Sequence, residues 1–386
     1  MGYKNERAVG NKYSGMKQYC EEQVFKQLVK TKSRVLAKEE VAKALKPTFV
    51  FQSDATYINK TPVLAFDGGI ATIFPGEPIE TKILKVASGF PEEFSSIFTA
   101  AYEDYIHIYS GQLKWPDGVN KTLAEVILES VKIILENKTI LQALDYLEIT
   151  TEQFEEAMVS RFNHIKGKGA EDNVREILEL SGIINCTESL YKSPLVESNF
   201  KDKDLQIPYL LIKDGTLYPS KMTASSLFAE AVAGWLNSGK HFVVGVIKDS
   251  RFINAENAWS EIIKEYGQEL KSHTFFKINK QVELSIDPHA DSNDFSRYFL
   301  SLFGGKSMFE IQIPRVLSND DKKVKEILNI IASQVTVQYG GSISTNSYAH
   351  ANASLPENEA RVLSYDLKYE LEEELKKLKD KKDEKP

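Results

Sequence analysis

Residues 208–217, PYLLIKDGTL, begin as an apolar run and end in Lys213-Asp214-Gly215-Thr216. A short apolar run bounded by proline and glycine is typical of a buried strand and the turn that follows it. Helical spacing of apolar residues follows at 223–237, and a second apolar run, HFVVGVI, occupies 241–247. A strand, a helix and another strand in succession predict a sheet with helices packed on it.

Strand-like runs also lie on both sides of this unit. Upstream they predict a meander, with Asp67-Gly68-Gly69 as the turn after the first strand; the runs are 62–66, 70–74 and 79–86. Downstream, 273–287 and 308–314 predict two more strands, with a helix at 320–333 behind them. Together these patterns predict an α/β or α+β fold.

Residues 92–165 differ in character and predict a helical insertion, with helical spacing in 92–110, 120–147 and 151–165. A helix is expected at 171–183, a polar loop at 186–206 and a helix at 356–382 that ends in alternating Glu and Lys. We therefore expect three parts: a basic N-terminal helical segment (1–46), a main domain (47–365) and a charged helical tail (366–386).

Charge is distributed unevenly along the chain. The sequence has 48 basic and 55 acidic residues, a net charge of −7, yet residues 1–46 carry a net +6 and the remainder −13. An acidic protein can bind nucleic acid through a local basic surface but not through its average field. Segment 1–46 is therefore expected either to contact DNA or an acidic partner, or to pack on the core as an ordinary amphipathic helix.

Several classes of protein are excluded for want of the pattern that defines them. No apolar run reaches the ~18–20 residues of a membrane-spanning helix, and the first residues lack the apolar core of a secretory signal. The two cysteines, Cys20 and Cys186, have no metal-ligand spacing, so we expect a cytoplasmic protein with reduced thiols. No P-loop, dinucleotide fingerprint, H-E-x-x-H or nucleophile elbow is present.

Two aspartates, Asp67 and Asp214, each follow an apolar strand and precede a glycine. Either could be a plain Asp-Gly turn. Two such junctions, however, predict carboxylates that converge at one edge of the sheet, where a divalent cation relieves their repulsion. Oxygen-rich sites suit Mg²⁺ or Mn²⁺, and the chemistry most often built on such a pair is displacement at phosphorus.

A third carboxylate is expected from the helix that precedes the Asp214 strand. Glu176 and Glu179 lie three residues apart and so on roughly the same face. Either could instead be an ordinary solvated glutamate, and the sequence does not distinguish the two.

Two further residues could act at this site. His350, in a stretch rich in Gly, Ser and Asn, could be a metal ligand or a proton carrier, although an isolated loop histidine is usually a surface residue. Lys248, at the end of VVGVIK, could hold a phosphate as a point charge or could be an edge lysine that reaches solvent.

In order, these motifs resemble those of the NurA nuclease family. They are Asp67-Gly-Gly, Asp214-Gly-Thr-Leu, Val-Gly-Val-Ile-Lys248-Asp-Ser, Phe309-Glu-Ile-Gln-Ile-Pro314 and Tyr339-Gly-Gly…Tyr348-Ala-His350. The match spans about 60–85 and 170–365. The sequence departs from the family at Gly69 and Thr216, where serine is usual, and at Tyr339-Gly-Gly in place of Gly-Tyr-Pro.

The resemblance implies an RNase H-like mixed sheet flanked by helices and a nuclease that hydrolyses DNA with Mn²⁺ or Mg²⁺. By carry-over Asp67, Asp214, His350 and one of Glu176 and Glu179 would surround the metal. The resemblance also implies a homodimer that works with a HerA-like hexameric DNA-translocating ATPase, in DNA repair or in defence against foreign DNA. The alternatives are a catalytically inactive partner of such a motor and a nuclease directed at RNA.

Overall fold

A computed structural model describes most of the chain. The described residues are 49–54, 56–73, 80–90, 102–110, 123–165, 170–192, 194–201, 206–218, 226–248, 273–277, 294–302, 307–336 and 342–383. The predicted N-terminal helical segment, 1–46, lies outside these ranges.

Within the described residues, nine strands form one mixed sheet. They are β1 (Phe49–Gln52), β2 (Val63–Ile73), β3 (Glu80–Gly89), β4 (Glu103–Ser110), β5 (Leu210–Asp214), β6 (Val243–Ile247), β7 (Thr274–Lys277), β8 (Phe295–Leu302) and β9 (Ser307–Pro314). Their order across the sheet is β1-β7-β8-β9-β6-β5-β2-β3-β4. Two short strands, β10 (Val335–Thr336) and β11 (Ser342–Ile343), pair separately.

The half of the sheet from β4 to β6 determines the class of fold. Strands β2, β3 and β4 form an antiparallel meander. Strand β5 lies parallel to β2 on its other side, and β6 lies parallel to β5. Counted from β2 along the chain, this is the order 3-2-1-4-5 of an RNase H-like sheet. The predicted fold class, a mixed α/β sheet of this type flanked by helices, is confirmed.

The described residues also form ten helices, several of which pack on the two faces of this sheet. They are α1 (Leu123–Glu136), α2 (Lys138–Tyr146), α3 (Thr151–Ile165), α4 (Ala170–Tyr191), α5 (Pro194–Lys201), α6 (Ser226–Leu236), α7 (Arg315–Ser318), α8 (Asp321–Ser333), α9 (Ser344–Ala353) and α10 (Glu357–Asp383). Both α4 and α9 contact β2 and β3. No helix in the described part of the chain is long and apolar enough to cross a bilayer.

Strand β2 differs from the prediction because Asp67-Gly68-Gly69 is not a turn. The strand runs without a break from Val63 to Ile73, so these residues lie at its middle. Both glycines serve close packing: a Cβ on Gly68 would meet the Glu179 side chain of α4, and a Cβ on Gly69 would meet the backbone carbonyl of Ala353 in α9. Since successive residues of a strand face opposite sides, α4 and α9 cover opposite faces of the sheet.

Two other segments also differ from the prediction. Residues 103–110, assigned to the helical insertion, form β4. Buried Ile106 and Ile108 alternate there with exposed Tyr105 and His107, which is the two-residue period of a strand. The predicted loop 186–206 is largely helical, because α4 continues to Tyr191 and α5 follows. Two polar side chains of this part of α4 have partners within the protein: Thr187 donates to the Ile183 carbonyl at 2.6 Å, and Glu188 accepts from Trp235 Nε1 at 3.2 Å.

Two glycine-to-alanine substitutions should change the free energy of unfolding in opposite directions, because only one of the two glycines packs against another backbone. Gly69→Ala should lower the free energy of unfolding by about 1–3 kcal/mol, because its methyl group meets backbone that cannot rotate away. Gly234→Ala, at an exposed position of helix α6 with open space around the added carbon, should raise it by up to about 1 kcal/mol. Urea unfolding measures both, and equal effects would contradict the close approach of α9 to β2.

Candidate metal centre

Asp67 lies on the β2 face that α9 covers. Its Oδ1 accepts a hydrogen bond from the backbone N–H of Gly68 at 2.7 Å. Its Oδ2 lies 2.7 Å from Nδ1 of His350, and only 14% of the Asp67 side chain is exposed. The carboxylate is therefore fixed by its own strand and directed towards α9.

Asp214 is brought beside Asp67 by the parallel pairing of β5 with β2. Phe66 lies opposite Lys213 in this register, so the next position along each strand is an aspartate. Both aspartates face the same side, because paired residues of neighbouring strands share a face. Gly215 then leaves the strand with a φ of 101°, a conformation that favours glycine.

Burial raises the pKa of the Asp214 carboxyl above its usual range, and the negative charge of Asp67 raises it further. The ammonium group of Lys248, with Nζ 3.0 Å from Asp214 Oδ2, opposes this rise, as does the amide of Asn346. Two carboxylates therefore share a partly buried space and repel each other. A cation between them would remove that repulsion.

His350 completes this group from helix α9. One nitrogen or oxygen atom from each of Asp67, Asp214 and His350 lies within 4.8 Å of the others. The imidazole is 68% exposed, and its Nδ1 is the atom that faces Asp67. The group thus offers two carboxylates and one imidazole between α9 and the face of the sheet, where β5 ends beside the middle of β2.

These residues fit a divalent cation such as Mn²⁺ or Mg²⁺, for which carboxylate oxygens are preferred ligands and which an imidazole can join. A buried polar atom beside the group supports the fit. Asn346, on α9, is fully buried, and neither its Oδ1 nor its Nδ2 has a hydrogen-bond partner in the described part of the protein. An ion or a water molecule in the site could satisfy this amide.

The structure does not bring either helix glutamate into this group. Glu179 belongs to α4, behind the sheet, where its Oε2 lies 2.9 Å from Nζ of Lys213 and its Oε1 lies 3.6 Å from Nε of Arg175. Burial raises the pKa of its carboxyl, and the charges of Lys213 and Arg175 oppose the rise. Glu176 lies half-buried on the same helix, and its negative charge raises the pKa of Lys213.

Lys248 lies where the sequence placed it, directly after β6, and it is paired with Asp214 rather than directed only at solvent. About a third of its side chain is exposed. Its ammonium group can therefore balance the charge of Asp214 and still reach a phosphate outside the site.

Sequence reasoning missed two residues, Lys213 and Asn346. The spacing Asn346-x-x-x-His350 would have placed both on one helix face, had residues 344–353 been recognised as a helix. Lys213, interpreted as the polar end of a strand, is 3% exposed. A buried lysine needs an anionic partner, and no local pattern indicates which one.

No protein-family model matches the sequence, and no curated protein matches it. Among solved structures, one of NurA has a TM-score of 0.29 and 11% identity, covering 90% of this chain and 93% of that one. A structure of NurA bound to dAMP and manganese has a TM-score of 0.31 and 12% identity, covering 89% and 99%. An endonuclease V from Ciona intestinalis, in complex with a 23mer DNA containing an inosine, has a TM-score of 0.24 and 10% identity, covering 85% and 97%. These similarities are distant.

Proposed function

We propose that this chain is a divalent-metal-dependent deoxyribonuclease similar to the NurA nucleases. The observation that carries the proposal is the convergence of Asp67, Asp214 and His350 within 4.8 Å on one face of an RNase H-like sheet. Phosphodiester hydrolysis is the reaction most often built on converging carboxylates with a divalent cation.

The residues of this site can each have a different role in hydrolysis. A bound Mn²⁺ or Mg²⁺ would supply a Lewis acid and lower the pKa of a water molecule. Asp67 and Asp214 supply the negative charge that holds such a cation. His350, anchored through Nδ1 and largely exposed, either adds a nitrogen ligand or moves a proton to the departing oxygen. Lys248 meets the phosphate as a point charge.

A catalytically inactive relative is the second candidate, and one observation favours it. The described residues bring only two carboxylates to the group, because Glu179 is held behind the sheet by Lys213. In that case the chain would be a structural partner of a DNA-translocating motor, and the site would bind a cation without cutting.

For partners, we propose DNA, a second copy of this chain and a HerA-like hexameric ATPase. The net charge of −7 supports the proposal of a HerA-like partner. The average field of this chain repels phosphates, so the partner would hold most of the DNA. The +6 segment 1–46 is the part of the sequence suited to an electrostatic contact with DNA or with an acidic surface.

The proposal predicts cleavage of end-labelled DNA, single-stranded or duplex, by the purified full chain in Mn²⁺ or Mg²⁺. Excess EDTA should abolish cleavage, because the carboxylates alone supply neither a Lewis acid nor an activated water. Gel electrophoresis measures this, with an RNA of the same sequence as the control for substrate class. A folded chain that binds Mn²⁺ but cuts neither polymer would favour the inactive alternative, and cleavage of RNA alone would overturn the choice of substrate.

A further inference from the structure

Asn346 differs from two other polar side chains of helix α9, Thr345 and Asn352, for which the protein provides hydrogen-bond partners. Its side chain is fully buried, and both Oδ1 and Nδ2 are without hydrogen-bond partners among the described residues. A neighbour on the same helix is satisfied by the protein: Thr345 Oγ1 donates to Gln334 Oε1 at 3.0 Å. Farther along α9, Asn352 Nδ2 donates to the Ser88 carbonyl at 2.9 Å.

An unsatisfied buried amide destabilises the folded state, and an apolar side chain of similar size would avoid that cost. Its position indicates what it could bind. Asn346 lies four residues before His350 and so on the same helix face. Helix α9 also contacts β5, the strand that ends at Asp214.

The chemistry of the amide fixes its orientation at this site. A carboxylate that binds a cation only accepts hydrogen bonds, so an amide that faces Asp214 in such a site presents Nδ2 as the donor. The carbonyl Oδ1 then points away from Asp214 and needs a positive or hydrogen-donating partner. Asparagine carbonyl oxygens are ordinary ligands of hard divalent cations.

We propose that Asn346 is a fourth member of the cation site, with Oδ1 as a neutral oxygen ligand and Nδ2 as a donor to Asp214. This inference rests on the proposed function, since it requires that Asp67, Asp214 and His350 bind a cation. In this arrangement the neutral oxygen of Asn346 is the third oxygen ligand, a role that the sequence analysis assigned to a glutamate of α4. The protein ligands then carry two negative charges, from Asp67 and Asp214.

The test is the Mn²⁺ dissociation constant of the full chain, measured from the electron paramagnetic resonance signal of free Mn²⁺. Asn346→Leu should weaken binding about tenfold or more, the range seen when groups that support a metal site are removed. Asn346→Asp should tighten binding several-fold, because affinity rises with the charge of the ligands. Asn352→Ala, on the same helix, should bind as the wild type does.

Urea unfolding with and without Mn²⁺ is a second measurement. It distinguishes a metal ligand from an amide that only supports the fold, because only for a ligand does the stabilisation by Mn²⁺ depend on residue 346. In EDTA, Asn346→Leu should be at least as stable as the wild type, because the unpaired amide is gone, and Asn346→Asp should be less stable. Added Mn²⁺ should then raise the unfolding midpoint of the wild type and of Asn346→Asp more than that of Asn346→Leu.

The possible outcomes separate the role of Asn346 from the proposed function. If the wild type binds Mn²⁺ and Asn346→Leu binds with the same constant, Asn346 is not a ligand and the proposed function stands. Equal weakening in Asn352→Ala would also overturn the inference, since the cause would be helix α9 as a whole. If Asn346→Leu does not fold, failure of Asn346→Asp to tighten binding overturns it. If the wild type binds no Mn²⁺, the proposed metal chemistry itself is overturned.

Discussion

Asp214→Asn is expected to reduce Mn²⁺-dependent DNA cleavage by about a thousandfold, which corresponds to about 4 kcal/mol of transition-state stabilisation. Asp67→Asn should have an effect of the same size. Each substitution removes a charged ligand without changing side-chain volume. Asp366→Asn, exposed on α10, is the matched control and should cleave as the wild type does. Wild-type cleavage by either site variant would contradict the assignment of that residue.

The loss of activity in Asp214→Asn should not come from unfolding. The folded-state pKa of Asp214 is raised, so this carboxyl contributes stability below its unfolded pKa and loses that contribution as the pH rises through its folded pKa. At neutral pH its charge therefore opposes folding in the absence of a cation. We expect Asp214→Asn in EDTA to unfold at the same urea concentration as the wild type or at a higher one.

The buried pair on the opposite face of the sheet predicts the largest effect on stability. Glu179→Gln leaves the ammonium group of Lys213, 4% exposed, without the carboxylate 2.9 Å away. Removing one partner of a buried ion pair costs about 3–5 kcal/mol, and replacing both partners with apolar residues costs far less. Urea unfolding should therefore show a large loss for Glu179→Gln and recovery in Glu179→Leu/Lys213→Met.

An exposed pair on α5 provides the control for this experiment. Lys201 and Glu197 form a 2.7 Å contact, with 74% and 64% of their side chains exposed. Glu197→Gln should cost no more than about 0.5 kcal/mol, because water screens the pair. Unchanged stability in Glu179→Gln, with loss of Mn²⁺ binding instead, would show that Glu179 is a metal ligand and not a support for the sheet.

The sequence predicted the aspartates of the site because their signal is local. In each case an apolar run leads directly into Asp-Gly, and parallel pairing of the two strands brings Asp67 and Asp214 together. The same reasoning mistook the middle of β2 for a turn, since glycines commonly end strands. Here the glycines allow α4 and α9 to approach the sheet, and only the packed structure shows that need.

The roles of Glu179 and Asn346 could not be predicted because they depend on which face of the sheet each helix covers. Helical spacing placed Glu176 and Glu179 on one side of α4 but did not determine whether that side meets the Asp67 side of β2 or its reverse. Lys213, adjacent to Asp214 in sequence, faces the reverse side and binds Glu179 there. The stretch around Asn346 is rich in small polar residues, which favour loops in isolation, and tertiary packing makes it helical.

The most direct test of the central claim is anomalous diffraction from a crystal of the full chain soaked in Mn²⁺. We expect a peak between the carboxylates of Asp67 and Asp214, about 2.1 Å from an oxygen of each. A second peak in the same region would be compatible with two-metal hydrolysis. A well-ordered site with no peak between these carboxylates, or with manganese bound only elsewhere on the chain, would contradict the assignment of this group as a metal centre.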